Sequence, residues 1–152
     1  MKFKNIKGDY ITNIIDYAND IVRKDPNIRI YIGTDSQNYS TGTSFATVIA
    51  FRYSFGKGVH VLYKKDINKP KIKQLSTRLL LEAEKTIEVA EWFSQNSILK
   101  IEAVEFDVNK DTKAGSHFME STVSGWGAGL GYKSLTKPDE LVACKAANEL
   151  CR

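Results

Sequence analysis

The apolar positions change period several times along this chain, and each change marks an element. In residues 9–24 (DYITNIIDYANDIVRK) Ile11, Ile14, Ile15, Ala18, Ile21 and Val22 recur at helical spacing, and Asp25-Pro26 ends the run. Residues 28–34 are β-branched and predict a strand. A polar turn at 40–44 leads to a second strand at 45–53, and Phe55-Gly56-Lys57-Gly58 turns the chain into a third at 59–63. Helical spacing returns over 71–95, and residues 98–108 predict a fourth strand. A helix weakened by glycines is expected from 116 to about 128, ended by Gly129 or Gly131. A short fifth strand at 132–135 and a helix at 138–150 complete the chain. The order α, β-β-β, α, β, α, β, α predicts a single α/β domain over residues 1–152. Its mixed five-stranded sheet has three antiparallel strands followed by βα units, with helices on both faces.

A chain of 152 residues, 42% hydrophobic and 26% charged, reads as an ordinary soluble globular domain with a real core. No window approaches the ~18 apolar residues of a membrane span. The opening Met-Lys-Phe-Lys-Asn-Ile has no apolar signal region, so a cytoplasmic location is expected. Cys144 and Cys151 lie seven apart on a predicted helix, which separates their α-carbons by roughly 10 Å, too far for a disulfide. They read as reduced core residues. With His60 and His117 the only histidines and no close Cys/His spacing, a structural zinc site is unsupported.

The net charge of +4 is unevenly spread. Residues 1–99 hold 15 Lys and Arg against 10 Asp and Glu, whereas residues 100–152 hold 7 against 8. The densest basic segment contains Lys64, Lys65, Lys69, Lys71, Lys73 and Arg78, opposed by Asp66 alone. That segment suits contact with a phosphate backbone, and equally suits a solvated loop.

Within residues 28–37 (IRIYIGTDSQ), Asp35 stands at the mouth of a predicted buried strand, where open α/β sheets collect ligands. On the long helix, Glu82 falls in the middle of the apolar arc formed by Leu75, Leu79, Thr86, Val89, Ala90 and Phe93. Glu84, Glu88 and Glu91 fall on the opposite side and read as a solvated face. An unpaired buried carboxylate costs several kcal/mol, roughly, so Glu82 is either at the rim of the buried face or held there for a purpose. Asp107 ends the fourth strand, where a simple turn also explains it. Asp139 follows Thr136 by three residues, a capping-box spacing that would open the last helix.

Other patterns fail. Asp107, Asn109 and Asp111 imitate the start of a calcium loop, but Thr112 stands where glycine is required and Phe118 where a bidentate Glu belongs. Gly125, Gly127, Gly129 and Gly131 alternate after a helix, which is not a dinucleotide-binding loop and suits a helix end or close packing. His117 has no recognisable nucleophilic partner.

The ordered set Asp35, Glu82, Asp107 and Asp139 resembles the acidic residues of the ribonuclease H-like fold. Ile32-Gly33-Thr34-Asp35-Ser36-Gln37, Arg78-Leu79-Leu80-Leu81-Glu82, Phe106-Asp107-Val108-Asn109 and Lys137-Pro138-Asp139, followed by Ala143 and Ala146-Ala147, are similar to the YkuK-type family of ribonuclease H-related nucleases. The similarity runs from about residue 28 to 152, and the N-terminal helix is also alike. It implies that all four acids are catalytic and bind two Mg²⁺ or Mn²⁺ ions roughly 4 Å apart for phosphodiester hydrolysis. It also implies nucleic acid as partner, met by Lys64, Lys65, Lys69, Lys71, Lys73 and Arg78. Two departures stand out. Asn148 replaces an acidic residue of the last helix, and Cys144-Lys145 replaces small polar residues. A non-catalytic nucleic-acid-binding module is therefore the competing expectation. An ATPase of the actin and sugar-kinase type needs two such domains and a second phosphate loop, for which 152 residues are too few.

Overall fold

In a computed structural model, residues 1–56 and 58–152 are described; Lys57, in the turn expected at 55–58, lies outside them. The elements are β1 (Phe3–Asn5), β2 (Tyr10–Ile11), α1 (Ile14–Lys24), β3 (Arg29–Asn38), β4 (Thr43–Arg52), β5 (Val59–Asn68), α2 (Leu75–Asn96), β6 (Ala103–Asn109), α3 (His117–Gly129), β7 (Ser134–Lys137) and α4 (Val142–Leu150). Among the described residues the fold is α/β, with one mixed sheet and four helices.

The sheet has seven strands rather than five, in the order β2-β1-β5-β4-β3-β6-β7. The five expected strands are contiguous and reach one edge at β7: β5, β4 and β3 are antiparallel, and β6 and β7 add in parallel beyond β3. The two extra strands form a hairpin against β5. They are two and three residues long, too short to carry a period of their own. They also displace the first helix, which begins at Ile14, not near residue 9. Asn13 caps it by accepting the Asp16 N–H at 3.0 Å.

Side-chain alternation assigns the two faces. Ile30, Ile32, Ile49, Phe51, Val104 and Phe106 point to a core closed by Ile14 and Ala18 of α1, Leu79 to Phe93 of α2 and Val123 of α3. Tyr31, Ala46, Val48, Ala50 and Ala103 point the other way, under Ala143 and Ala147 of α4. Helices therefore cover both faces, with α4 alone on the second. It packs so closely that a Cβ on Gly33 would meet Cys144 Sγ at 2.8 Å and Cys144 N at 3.1 Å. No helix among the described residues is long and apolar enough to cross a membrane.

Candidate active site

The parallel pairing of β3 with β6 runs through Tyr31–Ala103 and Ile32–Val104 to Gly33–Glu105. Beyond Gly33, β3 continues to Asn38 paired with β4 alone among the described residues. On the other side, β6 and β7 change register between Glu105 and Asn109. Asp35 and Asp107 lie two residues past the last parallel pair on their respective strands. They therefore point to the same face, the side of α4, where the strands part. The sequence suggests that each ends its strand, but neither is the terminal residue; each sits just past the point where the pairing of β3 with β6 stops.

Both carboxylates line an open cleft of about 380 Å³ with Lys137, Asp139, Leu141, Cys144, Lys145 and Asn148. Burial lifts the Asp35 carboxyl to about 6, helped by the negative charge of Asp107. The Ser36 N–H, donating to Asp35 Oδ1 at 2.9 Å, and the charges of Lys137 and Arg78 work against that rise. Lys137, the last residue of β7, places Nζ 2.7 Å from Asp107 Oδ1.

Glu82 is 5% exposed and approaches from the other face of the sheet. It lies on the buried side of α2, as its position on the apolar arc allowed, whereas Leu75 at the start of that arc is 40% exposed. Ser36, whose side chain points opposite to that of Asp35, donates its hydroxyl to Glu82 Oε2. Glu82 Oε1 is buried and has no hydrogen-bond partner among the described residues. Burial raises its carboxyl well above the ordinary range; the Ser36 hydroxyl opposes this, and the charges of Asp35 and Asp107 reinforce it. Beside this pair, Thr86 donates to Thr34 at 2.9 Å and Thr34 donates to Thr47 at 3.0 Å, tying α2, β3 and β4 together. Of the three other glutamates, Glu84 and Glu88 are exposed, but Glu91 accepts the Tyr132 hydroxyl at 2.7 Å and is not simply solvated.

Asp139 does not cap the last helix, which starts three residues later at Val142. It closes the turn after β7 by accepting the Thr136 N–H at 3.2 Å, and pairs with Lys110 at 2.7 Å. Lys110 and that N–H hold its carboxyl below the usual range.

The cap on α4 comes from a residue that sequence reasoning missed. Glu105, fully buried in the middle of β6, accepts the Val142 and Cys144 N–H groups at 2.9 Å each. Burial pushes its carboxyl up to about 7 despite these donors. A carboxylate at the first turn of a helix meets both the free N–H groups and the positive end of the dipole. An acid inside a strand covered on both faces has no route to water, but only the position of α4 shows that this face is covered.

The basic segment divides. Lys64 pairs with Asp66, which Lys85 also approaches, each at 3.5 Å. Lys65 donates to the Arg152 carbonyl at 2.8 Å. Lys69 and Lys73 are exposed and Lys71 is half-buried, on a loop pinned near the β3–β4 turn by Asn38 to Ile72 O and Ile72 N to Thr43 bonds. Arg78 lies one turn before Glu82, half-buried, its charge favouring ionised Asp35 and Glu82. Cys144 and Cys151 are free and buried, as expected. His117 places Nδ1 3.3 Å from the Asn109 carbonyl, a structural contact.

Among the described residues, no three His, Cys, Asp or Glu side chains stand together closely enough to hold a metal ion. Their chemistry nevertheless fits a hard cation. Asp35 and Asp107 present oxygens to one cleft, Glu82 keeps an unpartnered oxygen beneath it, and the Lys137 ammonium already serves Asp107 as counter-cation.

A family model described as ribonuclease H-like matches residues 10–152, and the chain belongs to that family. No curated protein and no solved structure matches it.

Proposed function

We propose that this protein is a divalent-metal-dependent phosphodiesterase that hydrolyses nucleic acid by a two-metal-ion mechanism, with Mg²⁺ or Mn²⁺ as the ions. The observation that carries this reading is the pairing of Asp35 and Asp107 at one gap in the sheet, two like charges sharing a cleft with a cation already drawn to them. Asp35 and Asp107 would be the principal ligands. Glu82 would add its free oxygen, and Asp139 would complete the set on exchanging Lys110 for the ions. Bound divalent ions supply an activated water and neutralise the charge that develops on the phosphate.

The chain's own groups prepare that chemistry. Arg78 favours the ionised forms of Asp35 and Glu82. Ser36 fixes one Glu82 oxygen and leaves the other free. Glu105 anchors the helix that carries Lys145 and Asn148 into the cleft. The exposed Lys69 and Lys73 sit on the loop near the end of β3, where they would meet phosphates without reading sequence.

A second reading, a non-catalytic nucleic-acid-binding module, draws on two observations: Asn148 lines the cleft at the position where the family resemblance leads one to expect an acid, and Lys137 already pairs with Asp107. Cleavage assays on labelled RNA, DNA and hybrid strands with Mg²⁺ or Mn²⁺ separate the two. Turnover that needs the metal and disappears in Asp35→Asn supports the phosphodiesterase; salt-sensitive binding with no turnover supports the binding module.

A further inference from the structure

Away from the acidic cleft, the β2-β1-β5 end of the sheet carries a basic and aromatic patch. Lys4 pairs with Tyr10 across β1–β2 and with Tyr63 across β1–β5, so these three side chains share a face. Tyr63 packs against the apolar cluster beneath α4, which identifies that face as the α4 side. Lys65, two residues after Tyr63, points the same way, and continuing the β1–β5 register sets Lys2 opposite it. α4 lies mainly over β3 and β4, leaving this end of the face uncovered.

These residues line a cavity of about 410 Å³ with Met1, Lys64 and Asp66. Asp66 is the one carboxylate of that lining, and Lys64 and Lys85 already share it. Lys4 Nζ stands 4.8 Å from the centre of the Tyr10 ring, and Tyr10 is 65% exposed.

The sheet register links this patch to the acids. Ala46 of β4 is the partner of Asp35 on one side and of Lys65 on the other. At about 4.8 Å per strand, Lys65 lies roughly 10 Å across the sheet from Asp35, on the same face. Beside this row, two residues further along β3 and β5, Gln37, Lys65, Cys151 and Arg152 help to line a further cavity of about 260 Å³. The acidic cleft and the basic patch are thus two ends of one row of strands.

We propose that Lys2, Lys4 and Lys65, with Tyr10 and Tyr63, hold a single-stranded stretch of nucleic acid leading to the acidic cleft. This rests on the phosphodiesterase reading for what happens at the cleft, but not for the binding itself. The ammonium groups take phosphates as point charges, and the exposed tyrosine takes the face of an unstacked base. A duplex keeps its base faces inside its stack and offers none to Tyr10.

The test is fluorescence anisotropy with a labelled oligouridylate of about 12 nucleotides, in buffer with a chelator, over a series of salt concentrations. Three proteins are compared: wild type, K2E/K4E/K65E and Tyr10→Ala, each checked for folding by circular dichroism. Charge reversal is expected to weaken binding about tenfold or more and to reduce the slope of log K against log salt by about 2, for three contacts at ~0.7 each. Tyr10→Ala is expected to weaken binding about fivefold or more with the slope unchanged. Affinity that neither variant alters overturns the proposal, as does tighter binding of a blunt duplex of equal length. Because binding is read without metal, a wild type that binds and never cleaves would count against the phosphodiesterase reading alone.

Discussion

Lys137 Nζ lies 2.7 Å from Asp107 Oδ1, so the last residue of β7 supplies a cation to the carboxylate where β6 parts from β3. Asp107 in turn holds the lysine's proton more tightly than usual. The same ammonium draws on Asp35, so under the proposed function it is the cation with which a divalent ion would compete.

Lys137→Met removes that competitor. Calorimetric titration with Mn²⁺ is expected to show tighter binding by about fivefold, close to 1 kcal/mol, the upper range for a pair whose lysine is half exposed. Equal or weaker binding would mean that the lysine helps to hold the ion.

The buried acids set the pH dependence of the metal-free protein. Asp35 sits at about 6 against an ordinary 3.8, Glu105 at about 7 against 4.5, and Glu82 is raised as well, burial being the largest cause in each. The folded chain therefore keeps protons that the unfolded chain has released, and stability falls as pH rises from about 4 to about 7. Thermal melts should show Tm declining through that window. Mn²⁺ should restore it near pH 8 and do little near pH 5, where the acids hold their protons. A Tm that climbs through the window would contradict the assignment.

Asn148→Asp adds a carboxylate to a cleft that already holds Asp35, Asp107 and Asp139. Charge count is what sets the affinity of oxygen sites for hard cations. The variant should bind Mn²⁺ more tightly and cleave faster at low metal concentration; the melts without metal should show lower stability at neutral pH, from added repulsion. If affinity is unchanged, position 148 lies too far from the ions to serve.

The sequence motif Gly33-Thr34-Asp35-Ser36 shows which parts of the site were legible. Asp35 stood out because a carboxylate had no place in a β-branched run. The roles of its neighbours depend on contacts made far along the chain. Gly33 leaves room for Cys144, Thr34 bonds Thr47 and Thr86, and Ser36 bonds Glu82. Glu82 was legible as an anomaly of its helix, because an acid on an apolar arc breaks a 3.6-residue period. Glu105 was not, since Val104-Glu105-Phe106 reads as ordinary alternation until α4 is seen to cover that face. The five strands from β5 to β7 followed from β-branched runs between turns, whereas the β1–β2 hairpin is too short to leave a period. The Thr136–Asp139 spacing marks a local bond in either case, but it closes the turn after β7 rather than opening α4, because an acid three residues on closes a turn as readily as a helix.

The central claim is that Asp35 and Asp107 form a cation-dependent centre for phosphodiester hydrolysis. Single-turnover cleavage of a labelled RNA strand, with and without Mn²⁺, comparing wild type with Asp35→Asn, tests it most directly. Cleavage is expected only with the metal, slowed by about two orders of magnitude or more in the variant, whose fold is retained. Cleavage that proceeds at the wild-type rate in Asp35→Asn would contradict it.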